Sequence, residues 1–380
     1  METTTYKLKD VLKIGNGKDH SSLPDGEYPV LGSGGIMRYA NRYLYDGESV
    51  LLPRKGTLNN IQYIKGKFWT VDTCYYTIIN QDITHPYYLY RLLRTFDLSG
   101  LDSGASIPSM TSKTYYGIKV QLPPLPTQQK IASILSAYDN LIQNYKKQIE
   151  ALQTTASELY KEWFVRFRFP GWQNAKFENG IPEGWKIVRV GDYVKIKSGF
   201  AFKSEWWQDE GCPVVKIKDI DNGEIVITDL DFVSEEHTKK AKSFLLNEGD
   251  LVIAMTGATI GKIGLAPKIK NLYTNQRVGK FFLPENPFET MPFLYCLFSQ
   301  NSTVETILCL SGASSAQPNI SPDQLESIKF FFNEDIVFQF NKKSAPFFRK
   351  ILKLREQITN LTQQRDLLLP RLMSGKLEVK

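Results

Sequence analysis

The chain has 380 residues, enough for two globular domains of ordinary size with connecting elements, and no apolar run approaches the eighteen or so residues of a membrane span. A formal net charge of +7 permits nucleic-acid binding without demonstrating it, and the 12% aromatic content suits either a strand-rich core or base-contacting loops. Cys74, Cys212, Cys296 and Cys309 lack the paired spacing of a zinc or redox site, and METTTYKLKD lacks the apolar core of a signal peptide. Buried free thiols in a reducing cytoplasm are therefore expected.

Residues 1–122 read as short apolar or alternating runs separated by turn signals, a mixed domain weighted toward strands. Only PYYLYRLLRTF, Pro86 to Phe96, looks clearly helical there. Residues 123–168 hold the most regular pattern in the chain. Ile131, Leu135, Tyr138, Ile142, Tyr145, Ile149, Leu152, Ala156, Leu159 and Trp163 alternate in steps of four and three, the seam of a coiled coil. Gln143, Lys146, Lys147 and Glu150 fall on the solvated face, and Gln153 is placed there too. Pro123, Pro124 and Pro126 mark the beginning of a rod of roughly 55 Å.

Residues 169–332 repeat the layout of the first domain. LKDVLKIGNG answers VGDYVKIKSG, YPVLGSG answers CPVVKIK, and GESVLLPRKGT answers GDLVIAMTGATIGK. PYYLYRLLRT answers PFLYCLFSQN, and SGASIPSMTSKTYYGIKVQLPP answers SGASSAQPNISPDQLESIKFFF. Five correspondences in one order indicate an internal duplication. In residues 333–380 the four-three spacing returns at Phe347, Ile351, Leu354, Ile358, Leu361, Arg365 and Leu368, stopping at Pro370. Arg365 breaks the apolar seam, and Pro346 either starts this helix or kinks a longer one beginning near Glu334. The expected fold is α+β, with two similar strand-rich domains separated by two long antiparallel coiled-coil helices under a pseudo-two-fold axis.

At this point the chain resembles the specificity subunits of type I restriction-modification systems. The resemblance rests on PPLPTQQKIASIL at the head of the first rod, IPEGW at Ile181 to Trp185, the paired SGAS segments and LLPRLMSGKLEV, and it covers the whole chain. It implies that the two domains are target-recognition domains, each reading half of a bipartite double-stranded DNA site, and that the helices set the gap. It also implies a cytoplasmic protein that binds no cofactor directly. The partners would be two methyltransferase subunits bringing S-adenosylmethionine and motor-endonuclease subunits using ATP and Mg. The second rod departs from the first at its head, where NEDIVFQFNKKSAP replaces PTQQKIASILSAYD.

No residue cluster points to catalysis or to a metal. GATIGK, Gly257 to Lys262, has one residue too few between its glycines for a phosphate loop and Ile263 where Ser or Thr is needed. GSGG at Gly32 to Gly35 reads as a tight turn, and His20, His85 and His237 are scattered. The tyrosine pairs Tyr75-Tyr76 and Tyr115-Tyr116 are expected in the core, with Trp206 open to a base-contacting role. The DNA-binding candidates are loop residues suited to phosphates and base edges. In the first domain these are Gly34, Gly35, Arg38, Arg54, Lys55, Thr57 and Asn59, then Ser109 to Lys113. In the second they are Lys203, Lys216, Lys218, Thr256, Thr259, Lys262, Asn275, Gln276, Arg277, Gln317 and Asn319. The rival readings are a coiled-coil scaffold that ignores DNA and a self-contained DNA-modifying enzyme with degenerate motifs.

Overall fold

The computed structural model describes residues 2–101, 108–312, 318–377 and 379. The chain divides into two compact units, Met1–Gln143 with Thr359–Lys380, and Asn144–Ile358. Two long helices, Leu125–Tyr160 and Glu334–Met373, contribute to both.

In the first unit the main sheet has the strand order Leu12–Asn16, Cys74–Ile79, Tyr45–Pro53, Gln62–Thr70, Asp25–Gly32, Gly35–Ala40. Its middle is built on Ser49–Pro53, buried without interruption, as a strand covered on both faces requires. The pairing is antiparallel except between Asp25–Gly32 and Gln62–Thr70, where Val30 faces Trp69 and Leu31 faces Thr70 in parallel. A small ribbon pairs Thr4–Lys7 with Lys119–Leu122. Val50, Leu52, Tyr88, Tyr115 and Val120 form a core that also takes Ile131 and Leu135 from the start of the first long helix and Leu372 from the end of the second.

The second unit repeats this plan with its strands divided over two sheets. Lys195–Ser198, Val278–Phe282, Leu251–Ala254 and Ile263–Leu265 are neighbours in one, and Cys212–Val215 pairs in parallel with Leu272–Thr274 in the other. The ribbon returns as Lys186–Arg189 with Lys329–Phe332. Its core takes Ile149, Ala156, Tyr160 and Trp163 from the end of the first long helix and Phe340, Phe348, Ile351 and Leu354 from the second. Within each unit the start of one helix thus lies with the end of the other, the antiparallel arrangement. The fold is α+β.

Every seam residue from Ile131 to Trp163 is buried or half-buried, while Gln143, Lys146, Lys147 and Glu150 are exposed. Gln153 departs from its expected place on the solvated face. Its amide donates to the Tyr295 hydroxyl at 2.8 Å and to the Asn222 carbonyl at 3.3 Å. The second long helix is the longer of the two alternatives. It starts at Glu334, with the Asn333 carboxamide oxygen accepting the Ile336 N–H, and it runs through Pro346. Pro370 does not stop it either, since a proline ring on an exposed face removes only one backbone donor. Of the cysteines, Cys74, Cys212 and Cys296 are buried, and burial pushes the Cys74 thiol up to about 12. Cys309 is exposed, against expectation, on the polar side of the helix Asn301–Leu310.

Candidate nucleic-acid interface

The duplication is visible in backbone hydrogen bonds, independently of side chains. In the first unit the strand ending at Pro53 continues into Arg54–Gly56, where three segments meet. Arg54 N–H donates to the Thr73 carbonyl (2.8 Å), Met110 N–H to the Arg54 carbonyl (3.0 Å) and Gly56 N–H to the Pro108 carbonyl (3.0 Å). In the second unit Met255 N–H donates to Arg277 (3.0 Å), Ile320 N–H to Met255 (2.9 Å) and Gly257 N–H to Pro318 (3.0 Å). Isolated bridges Lys55 to Ser109 and Thr256 to Asn319 complete the same pattern. Gly56 therefore corresponds to Gly257, one position away from the register obtained by aligning the leading glycines Gly47 and Gly249.

Each frame holds a four-residue turn. Val71–Cys74 is closed by Cys74 N–H to Val71, and Val71 N–H donates to Leu31; Asn275–Val278 is closed by Val278 N–H to Asn275, and Asn275 N–H donates to Val215. A glycine presses on each turn from behind. A Cβ at Gly17 would meet the Val71 carbonyl oxygen at 1.9 Å, and one at Gly199 would meet the Asn275 carbonyl oxygen at 2.4 Å. No side chain fits there, so glycine is required by close approach at both positions. At the foot of each turn stands a fully buried threonine, Thr70 or Thr274.

The sequence-predicted residues distribute unevenly around these frames. Thr256, Gln276, Arg277 and Asn319 line one cavity of about 450 Å³ together with Ser198 and Pro318. Gln276, Arg277 and Asn319 are exposed, whereas the Thr256 and Thr259 hydroxyls are buried with no hydrogen-bond partner among the described residues. The Asn275 carboxamide oxygen accepts the Arg277 N–H at 3.4 Å, shaping the turn from within. In the first unit Arg54 and Lys55 occupy the matching frame. The Arg54 guanidinium lies 5.9 Å from the Tyr75 ring centroid, and Lys55 is exposed.

Other candidates are engaged inside their own units. Arg38 donates to Asp25 (2.5 Å) and to the Leu23 carbonyl (2.9 Å). Asn59 holds Asp97 and the Leu98 N–H. Lys216 and Lys218 both reach Asp231 at 3.1 Å, with Lys216 also 3.6 Å from the Trp207 ring centroid. Burial works against the Asp231 carboxylate, yet hydrogen bonds from both lysines hold its pKa below the ordinary value. Lys262 pairs with Asp221 at 2.6 Å, and Lys203 lies over Trp206, whose ring stacks on His237 at 4.4 Å. Gly34 and Gly35 make the turn of the hairpin Asp25–Ala40, as expected of GSGG, and Thr57 and Lys113 are exposed. Gln317 lies outside the described residues, as do most of the paired SGAS segments. Tyr75 and Tyr115 are core residues.

Asp72 and Thr73, which occupy the turn positions of Gln276 and Arg277, escaped the sequence reading. The signal was a sixth correspondence, WTVDTC answering YTNQRV, in which the shared aromatic-threonine pair anchors the turn.

Comparison with known proteins places this arrangement. A family model described as type I restriction modification DNA specificity domain matches residues 1–154 and 182–332. The MjaIX specificity subunit of a type I restriction enzyme from Methanocaldococcus jannaschii is 26% identical over 98% of this chain and 93% of its own length. The MjaVIII specificity subunit of the same organism is 32% identical over 79% of this chain and 71% of its own. A crystal structure of the S subunit of a type I restriction-modification system from M. genitalium shares the fold at a TM-score of 0.63 and 17% identity, covering 98% of this chain and 96% of that one.

Proposed function

The chain belongs to the type I restriction modification DNA specificity family, and from that premise we propose that each unit reads one half of a bipartite double-stranded DNA site, with the long helices as the ruler between the halves. It is a non-catalytic DNA-recognition subunit, whose partners are DNA and the other subunits of such a system. Two methyltransferase subunits, carrying S-adenosylmethionine, and motor-endonuclease subunits, using ATP and Mg, complete the cytoplasmic assembly in this reading. The carrying observation is the repeated backbone frame with unlike side chains on its rim. A repeated frame provides two equivalent docking geometries, and unlike side chains provide two different half-sites.

The test is methylation mapping in cells that carry the whole system. A two-part motif with a fixed gap is expected; a single undivided motif would refute the reading. Inserting four residues between Gln143 and Asn144, both exposed, adds about 6 Å of helix, close to two base pairs at about 3.4 Å each. The halves should stay while the gap grows by one or two base pairs. Activity should fall, because four residues are a stutter in a heptad pattern. Because +7 over 380 residues is a modest electrostatic drive, the isolated chain should also bind the site less specifically than the complex at equal salt.

A further inference from the structure

We propose that the four-residue turn in each unit is the base-reading tip, and that its two middle side chains, Asp72 and Thr73 in the first unit and Gln276 and Arg277 in the second, make the two half-sites differ. This rests on the functional reading above and assigns it to four positions.

The turns are outward-facing backbone held from several sides in both frames. Each is tied to a neighbouring strand on one side, Leu31 or Val215, and to the Arg54 or Met255 segment on another, with a glycine backbone packed against its first carbonyl. Base readout needs side chains held to within about half an ångström, which such clamping supplies. The middle residues are also available. Asp72, Gln276 and Arg277 are exposed, and neither the Asp72 carboxylate nor the Arg277 guanidinium has a hydrogen-bond or ion-pair partner among the described residues. Lys216, Lys218 and Lys262, by contrast, are already paired with aspartates.

Asp72 carries the most information. A carboxylate repels phosphate, so at a DNA-facing rim it serves only where it meets a donor. In the major groove the donors are the exocyclic amines, and the carboxylate pairing is with cytosine N4. The turn of the first unit therefore selects a cytosine, with Thr73 as an adaptable neighbour. In the second unit the same two positions offer an amide and a guanidinium. Gln276 matches the N6/N7 edge of adenine and Arg277 the O6/N7 edge of guanine, so this turn selects purines. Thr256 and Asn319 across the cavity, in place of Lys55 and Ser109, leave Arg277 as the cation of the second frame.

The experiment maps methylated motifs in cells carrying the complete system with Asp72→Asn, Arg277→Ala, Arg277→Lys or the exchange D72Q/T73R, and measures binding of the purified complexes to duplexes substituted at each motif position. Asp72→Asn should alter one position of one half-site and leave the other half unchanged. Arg277→Ala should relax one position of the opposite half, lowering discrimination there about tenfold to a hundredfold. D72Q/T73R should move the first half-site toward purines. Arg277→Lys should discriminate better than Arg277→Ala but less well than the wild type, because lysine still donates to guanine O6 and N7 yet lacks the planar fork. Unchanged discrimination in Arg277→Ala, an unchanged motif in Asp72→Asn, or changes in both halves from one substitution would overturn the proposal. A wild-type motif that is not bipartite would instead refute the functional reading beneath it.

Discussion

The two units add different interactions to the apolar packing that attaches each of them to the long helices. In the first, the packing of Ile131, Leu135 and Leu372 is joined by a cluster of charges. Asp139 of the first long helix accepts from Tyr87 and Arg91 of the short helix Pro86–Leu93 and from Arg365 of the second long helix at 2.8 Å. Arg91 is only 2% exposed and Asp139 24%. In the second unit the corresponding place is aromatic. Phe164, Phe293 and Phe340 pack with Tyr160 and Trp163 at centroid distances of 4.9 to 6.4 Å, edge to face or tilted. A buried charge cluster adds little net stability but penalises any other register, whereas an aromatic cluster stabilises through burial and ring geometry. The break that Arg365 makes in the seam thus favours one register in the first unit, while in the second the aromatic cluster stands beside the ion pair of Arg355 with Glu224 at 2.7 Å.

The largest expected effect is in the aromatic cluster. Phe340, fully buried, should cost about 3 to 5 kcal/mol on replacement by alanine. The loss should be the same at pH 4 and pH 7, since no charge is involved. Urea unfolding at the two pH values, with hydrogen exchange to locate the loosened segments in 144–358, checks this; a loss confined to the first unit would break the comparison.

Asp139→Asn should come next, at about 3 kcal/mol, because it leaves the buried Arg91 without its counter-charge and Arg365 with Asp366 alone. Here the pH dependence has a definite sign. Burial disfavours the Asp139 carboxylate, but the hydrogen bonds from Tyr87 and Arg365 and the charges of Arg91 and Arg365 outweigh it and hold the pKa below its ordinary value. Its folded pKa therefore lies under the unfolded one. The stabilisation is complete above the ordinary carboxylate pKa of about 3.9 and disappears as pH falls through the folded value. The gap between wild type and variant should narrow below pH 4. Replacing Asp139, Arg91 and Arg365 together by apolar residues should restore most of the stability, which would sharpen the distinction between register and stability.

These contrasts explain what could be read in advance. The seam, the duplication and the prolines at the head of the first rod were legible because heptad spacing and repeated turn signals are local. The pairing of Arg365 with Asp139 was not, because the two are far apart in sequence. Gln128 was equally hidden. It is fully buried, accepts from the Thr84 hydroxyl and the His85 N–H, and donates to the Ile83 and Pro123 carbonyls. In the second unit Asn341 accepts the Phe293 N–H at 2.8 Å, so the divergent rod head still caps a short helix, by another residue. At the candidate interface, residue type alone favoured Lys216, Lys218 and Lys262 and passed over Asp72, since only the fold reveals which charges are already paired.

A smaller effect is expected behind the reading turns. Gly17→Ala and Gly199→Ala each place a methyl group against a carbonyl oxygen, at 1.9 and 2.4 Å before relaxation, and overpacking of this kind costs about 1 to 3 kcal/mol. Gly17→Ala should be the worse of the two. Hydrogen exchange should quicken at the Val71–Cys74 turn in one variant and at the Asn275–Val278 turn in the other. Methylation should weaken with one half-site blurred in each case, and loss of both halves together would show that the frames do not act independently.

The smallest effect should come from lysines that composition alone would rank among the strongest DNA contacts. Lys218 is half exposed and lies between Asp231 and Asp229. The hydrogen bond to Asp231 is the main cause raising its pKa; desolvation opposes it, and the charges of Asp231, Asp219 and Asp229 add to the rise. A phosphate would have to draw this ammonium away from two carboxylates that then face the DNA backbone uncompensated. The local charge offered to DNA is therefore near zero, whatever the count of lysines. Lys218→Ala should change stability by no more than about 1 kcal/mol, as for other exposed ion pairs, and should leave the salt dependence of binding by the complex within about half a unit in slope, whereas loss of a true phosphate contact lowers it by about 0.9. Lys216→Ala should be as quiet in binding but costlier in folding, because its ammonium also sits on the Trp207 ring. A full unit lost from the salt slope in either variant would mean that DNA separates these lysines from their aspartates, and the interface would then extend from the turn frame to the strand Asp231–Val233.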